Sequence, residues 1–268
     1  MVPEHLNAAQ RIPAAVIFPM TVTPLSQSRY KIDTPGFAQH IFTAASSQYL
    51  ALPDAVEFAQ ERNSVLQSAP EAIAFRIAAR DASGANKHHQ VTRTAALYFK
   101  DSGKFYVAFD DDPIENILLS RAQQAYDAHH TAMKWLVDKD DPLIRAALAR
   151  AALANRTRPV PLEGMLMLAT SLRHDVSEHG TSKLPRAMIG DLAEPYTRFL
   201  KHQGYRSRYE YFLSPGTLQT MGLDDTQVEV RRLGIGGTDH NCSNCLIATS
   251  MCVTYGQARG VCKDSREL

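Results

Sequence analysis

Four cysteines, Cys242, Cys245, Cys252 and Cys262, all fall within the last 27 residues of a 268-residue chain. A thiol at the first turn of a helix is favoured as thiolate, because the free N–H groups and the helix dipole lower its pKa from about 8.5. The same N–H groups can donate to an oxyanion. The stretch "NCSNCLIATSMC" (241–252) reads as a polar turn opening a final apolar helix, "CLIATSMCVTYGQ", with Cys245 or Cys242 at its start. A thiolate nucleophile also needs a base, and the base needs an orienting carboxylate. His88 and His89 begin "HHQVTRTAALYF", which with the turn "KDSGK" and the strand "FYVAF" forms the clearest hairpin in the sequence. Asp110, Asp111 and Asp112 end its second strand, so pairing of strands 88–100 and 104–110 would set a histidine beside a carboxylate. Alternation puts His88 and His89 on opposite faces, so one of the two faces the site.

Other chemistries compete for the same residues. His240 and the cysteines offer four zinc ligands, but only Cys242-x2-Cys245 has good spacing, and Cys252-x9-Cys262 does not. A redox Cys-x-x-Cys lacks the thioredoxin-like βαβ setting. Zinc deaminases need His-x-Glu, and none of the ten histidines has a glutamate two residues later. The sequence therefore implies neither a resident metal nor another cofactor. Its rival reading is a non-enzymatic interaction protein with a C-terminal cysteine-rich zinc or iron–sulfur site.

The elements that must position these residues read as an α+β layout. "AAVIFPMTV" (14–22) reads as a strand, and "PGFAQHIFTAASSQYL" and "PDAVEFAQERNSVLQ" as proline-opened helices. "EAIAFRIAAR" (71–80) alternates like a half-buried strand. From about 114 to 204 the pattern is helical, in "IENILLSRAQQAYDAHHTAMKWLV", "PLIRAALARAALA", "LEGMLMLATSL" and "AMIGDLAEPYTRFLKHQ". Strand character returns in "RYEYFLS" and "QVEVRRLGI". The chain is thus expected to be a single catalytic domain over 1–268: an antiparallel sheet, a cysteine-headed helix and a large helical insertion at 114–204.

These motifs resemble those of the cysteine peptidase and acyltransferase clan that includes SUMO proteases and the YopJ family of bacterial effectors. The chain order is His–Asp–Cys, carried by "HHQVTRTAALYFKDSGKFYVAFDDDP" and then "TDHNCSNCLIATSMC". "NCSNCLIATS" is also similar to the Cys-x-x-Cys that opens the active-site helix of papain-like enzymes. The resemblance implies a papain-like fold, with Cys245 or Cys242 as nucleophile, His89 as base and Asp110 as its carboxylate. About 130 residues separate Asp110 from the cysteines, where the family keeps a few dozen. Its oxyanion glutamine has no counterpart in "GIGGTDHN", which leaves Asn241, Asn244 or the helix backbone to serve. The expected activity is acyl transfer on a protein substrate, as a thiol protease, deubiquitinase-like hydrolase, deamidase or acyltransferase. By the same resemblance the protein is made in a bacterial cytosol and secreted as an effector or toxin acting on a host protein.

Bulk composition fits a well-packed domain, with 44% hydrophobic and 21% charged residues. A formal net charge of +1 gives no global field for nucleic acid or membrane. No apolar run approaches the roughly 20 residues of a membrane helix.

Overall fold

The computed structural model describes residues 21–26, 28–33, 40–79, 87–99, 104–108, 136–153, 160–161, 170–175, 189–205, 207–213, 222, 225–237, 246–250 and 256–262. They form two sheets and four α-helices. The first sheet holds β1 (Thr21–Ser26), β2 (Arg29–Asp33), β3 (His40–Thr43), β4 (Val65–Leu66) and β13 (Gly260–Val261). Its order is β1-β2-β3-β13-β4, so the last strand of the chain lies between two of the first four.

The second sheet is built on β11 (Gln227–Ile235), buried from Val228 onward. On one side β11 pairs antiparallel with β5 (Ala95–Phe99), which continues to β6 (Lys104–Ala108) and β8 (Val160–Pro161). It also pairs with β7 (Leu136–Asp138) at Gln227–Glu229 and with β12 (Leu246–Ser250) at Arg232–Ile235. β12 pairs parallel with β10 (Ser207–Phe212), and β10 pairs antiparallel with β9 (Thr170–Asp175).

The helices are α1 (Leu52–Gln60), α2 (Ala69–Ala79), α3 (Pro142–Leu153) and α4 (Ala193–His202). α2 contacts β1 and β2 of the first sheet and β11 of the second. It buries Ala69, Ala72, Ile73, Ala74, Phe75, Arg76 and Ala79. A helix enclosed on nearly every side loses the one-sided apolar stripe by which helices are recognised in sequence. Its start carries a capping box. The Ser68 N–H donates to the Glu71 carboxylate at 2.6 Å, and the Glu71 N–H donates to the Ser68 hydroxyl at 3.4 Å.

The hairpin from Ala95 onward, β10, β11, α3 and α4 form where the sequence places them, and α1 forms over the first part of its expected span. Six expectations are corrected. Residues 65–66, expected within the helix 53–67, are β4, because β13 pairs with them. Residues 71–79, expected as a strand, belong to α2. Residues 40–43, expected within a helix, are β3, because both β2 and β13 pair with them. Residues 246–250, expected in a papain-like cysteine helix, are β12, held between β11 and β10; a five-residue apolar run fits either element until its partners are known. The stretch 114–204 is not a helical insertion throughout, since β7, β8 and β9 lie in it as sheet strands. β5 begins at Ala95 rather than at His88, and Ala95 pairs with Ala108, so neither histidine lies on the hairpin ladder. Of the expected strand 14–22, residues 14–20 fall outside the described residues and 21–22 lie in β1; of the expected helix 114–137, residues 114–135 fall outside them and 136–137 lie in β7.

Candidate functional site

Four stretches meet at one end of β11: Ser47–Leu50, Lys87–Gln90, Ile235–Gly237 and Gly256–Gln257. Backbone bonds hold them. Gln90 exchanges bonds with Ile235 at 2.8 and 3.2 Å, and Leu50 with Gly256 at 2.8 and 3.0 Å. The Gln257 N–H donates to the His89 carbonyl at 2.8 Å, and the Val91 N–H to the Gln257 carbonyl at 3.0 Å. The stretches come so close that two positions admit no side chain. A Cβ on Gly237 would stand 2.2 Å from the His88 carbonyl carbon, and one on Gly256 would stand 2.8 Å from His89 Cδ2. That accounts for glycine at 237.

Arg76 ties the junction to α2. Its side chain is 1% exposed, and it donates through Nη1 to the Gly236 carbonyl at 2.6 Å. Through Nη2 it donates to the His88 carbonyl at 3.0 Å and, more weakly, to the Ile235 carbonyl at 3.4 Å. A planar guanidinium suits this task, since its N–H groups fan out to separate acceptors in fixed directions. A second polar cluster lies within the same sheet. Arg231 Nε is 2.7 Å from Glu229 Oε1, both nearly or fully buried, and Tyr98 pairs with Glu229 across the ladder. Burial holds the Tyr98 hydroxyl well above the ordinary tyrosine range, against the Leu213 N–H that donates to it at 3.3 Å.

On this packed base, Ser47, Gln48, Tyr49 and Lys87 are exposed and His88 is half-buried. The Tyr49 hydroxyl lies 2.9 Å from His88 Nδ1, with the rings edge to face at 5.8 Å. His89 points the other way into the packing and is 7% exposed, as alternation expects of adjacent residues. His88 and His89 thus reach this junction through the coil before β5 rather than through the hairpin. The other candidates, Asp110, Asn241, Cys242, Asn244 and Cys245, lie outside the described residues, as does Cys252. Cys262 follows β13 in the first sheet, with a half-buried free thiol. Among the described residues no three His, Cys, Asp or Glu side chains group as a metal site. No described helix is long and apolar enough to cross a membrane. Sequence reasoning missed Tyr49 and Arg76. Tyr49 lies next to the end of a stretch expected as helix, and Arg76's acceptor on Gly236 is 160 residues away in the chain.

Comparison with known proteins decides between frameworks. No protein-family model and no curated protein matches the chain. A solved structure does, one described as accommodation of massive sequence variation in Nanoarchaeota by the C-type lectin fold. The TM-score is 0.56 at 17% identity, over 84% of this chain and 99% of that one. The chain has a C-type lectin fold. This finding overturns the resemblance to papain-like and YopJ-like enzymes, and with it the reading as a cysteine-dependent hydrolase or acyltransferase, effector or toxin. The physical ground is the element that begins at Leu246. The acyl-transfer argument needed a helix start to depress a thiol pKa, and that element is a strand.

Proposed function

We propose that the protein is a binding protein, in which a C-type lectin fold holds a contact face around Tyr49, Lys87 and His88 for a protein partner. One observation carries the reading. The junction beneath this face is fixed by backbone bonds and by Arg76, none of which depends on the outward side chains. Such a face can change its residues at little cost to the fold. The solved protein of like fold is described as accommodating massive sequence variation, which fits the same division between base and face. Tyrosine and histidine suit protein contact, since each presents an apolar ring with a polar tip. Tyrosine is enriched among residues that dominate binding energy.

A displayed library tests this. Ser47, Gln48, Tyr49, Lys87 and His88 are randomised together, sorted for protease resistance, and then panned on lysozyme as an arbitrary protein target. Most members should keep wild-type protease resistance, and micromolar binders should emerge. Loss of resistance in most members would overturn the proposal, because the face would then be part of the fold's own support.

A further inference from the structure

A cleft of about 270 Å³ opens on the first sheet, where the start of β2 and the end of β3 meet the turn after α1. Ser28, Arg29 and Thr43 line one side, and Glu61, Arg62 and Asn63 the other. Arg29 is half-buried, and its guanidinium makes no hydrogen bond or ion pair among the described residues. Arg62 is held in place by stacking 3.7 Å over Phe58, while its Nη1 donates to the Phe58 carbonyl at 2.8 Å and to Glu61 at 3.2 Å. These contacts leave its Nη2 uncommitted. Asn63 sits in the left-handed region, φ 51°, its backbone N–H donating to the Gln60 carbonyl at 3.0 Å and its side-chain amide without a bond among the described residues.

The wall behind Thr43 adds a third cation. Arg259 is 4% exposed, donates to the Thr43 carbonyl at 2.8 Å and stacks 3.8 Å over Phe75. No carboxylate among the described residues pairs with it, and its Nε has no hydrogen-bond partner there. Burial in this apolar setting pulls its pKa down to about 10, so it remains a cation at neutral pH. Three guanidinium groups against the single carboxylate of Glu61 leave two positive charges in excess. The C-terminal end of α1 opposes an anion with at most about half a charge. That opposition is weakened further, since the Phe58, Ala59 and Gln60 carbonyls all accept hydrogen bonds from the turn.

We propose that this cleft binds a doubly charged oxyanion, a phosphate group, between Arg29 and Arg62, with Ser28 and Asn63 as neutral donors. Guanidinium forks match phosphate oxygens in geometry as well as charge. The inference stands apart from the contact face around Tyr49, because no residue of that face lines the cleft.

The test follows backbone amide shifts of Ser28, Arg29 and Glu61–Asn63 in the full chain, titrated with inorganic phosphate at low, constant ionic strength. Saturable shifts are expected, with a dissociation constant of about 1 mM, and acetate should bind at least severalfold more weakly. Arg29→Gln should weaken phosphate about tenfold, the scale of one lost charge-assisted contact. Glu61→Gln should strengthen it, since the carboxylate that lines the cleft is removed. Glu61 is exposed and Arg29 half-buried, and unchanged circular dichroism will show that the fold is intact in both variants. A phosphoserine arm separates sources: tighter binding than inorganic phosphate assigns the group to a larger molecule, and equal binding assigns it to the free ion. Shifts identical in acetate and phosphate, or phosphate affinity unchanged in Arg29→Gln, would overturn the proposal.

Discussion

Replacing Arg76 with methionine should show how much of the junction rests on one side chain. Methionine keeps most of the buried aliphatic volume and removes the guanidinium. Among the described residues, two well-formed charge-assisted bonds are lost, to the Gly236 and His88 carbonyls at 2.6 and 3.0 Å; a third, at 3.4 Å, is marginal. At about 1.5–3 kcal/mol for a hydrogen bond to a charged group, the gross loss is roughly 3–6 kcal/mol. Relief from burying a cation returns part of this, which leaves a net cost of about 3 kcal/mol. Against a typical total of about 5–15 kcal/mol the change is large, and at roughly 2–3 °C per kcal/mol the melting temperature should fall by about 6–9 °C. Urea unfolding followed by far-ultraviolet circular dichroism measures it, with Arg145→Met as an exposed control expected to stay within about 0.5 kcal/mol. Native-state hydrogen exchange should quicken first at Gln90 and Ile235, whose mutual bonds lie beside the lost ones. A net change below about 1 kcal/mol would refute the reasoning, since the freed carbonyls would then have other donors.

Three further outcomes follow from the same geometry. Gly237→Ala should destabilise the fold by about 1–3 kcal/mol or more in urea unfolding, because its Cβ meets the backbone of His88, which cannot step aside as a side chain end could. Glu71→Ala should cost about 1 kcal/mol by removing half of the capping box of α2, whereas Glu71→Gln should recover most of it. The third concerns alkaline pH. Tyr98 in the unfolded chain ionises near pH 10 while the buried hydroxyl stays protonated, so its contribution is complete below pH 10 and is lost as pH rises above it. Arg259 runs the opposite way, its pKa pulled to about 10: the penalty of burying its charge is present below that pH and is relieved above it. Wild type should therefore lose stability relative to Tyr98→Phe by about 1.4 kcal/mol per pH unit above pH 10, since the Arg259 effect is common to both proteins. Parallel stability curves between pH 9.5 and 11 would refute the assignment.

What the sequence revealed was what is local. The long strand β11 and the helices α3 and α4 carry their own periodicity and form as expected, as do the hairpin from Ala95 onward and the first part of the helix expected over 53–67. β13 is two residues long and owes its existence to β3 and β4, so nothing in "GV" marks it. β12 offers only a short apolar run, and whether such a run becomes helix or strand depends on neighbours more than ten residues away. α2 did carry a local signal, the serine and glutamate of "SAPE", which outweighs the alternation that follows it. His88 drew notice as a titratable group and does lie at the candidate face, but through a coil whose length no local pattern sets. Arg76 and Tyr49 gain their roles only from partners brought by the tertiary fold.

The position of β13 in the first sheet bears on how the protein is made. β3 and β4 are each translated within the first 66 residues, yet the strand that joins them is not complete until residue 261. At about 5–20 residues per second, the ribosome needs roughly 10–40 s to cover that interval. Throughout it, the facing sides of β3 and β4 present N–H and C=O groups with no partner, the condition under which unpaired strands recruit other chains. A nascent chain of this protein therefore passes a long window with its first sheet half built. Slow codons placed before β13 should lower the soluble yield, and synonymous changes that speed this region should raise it.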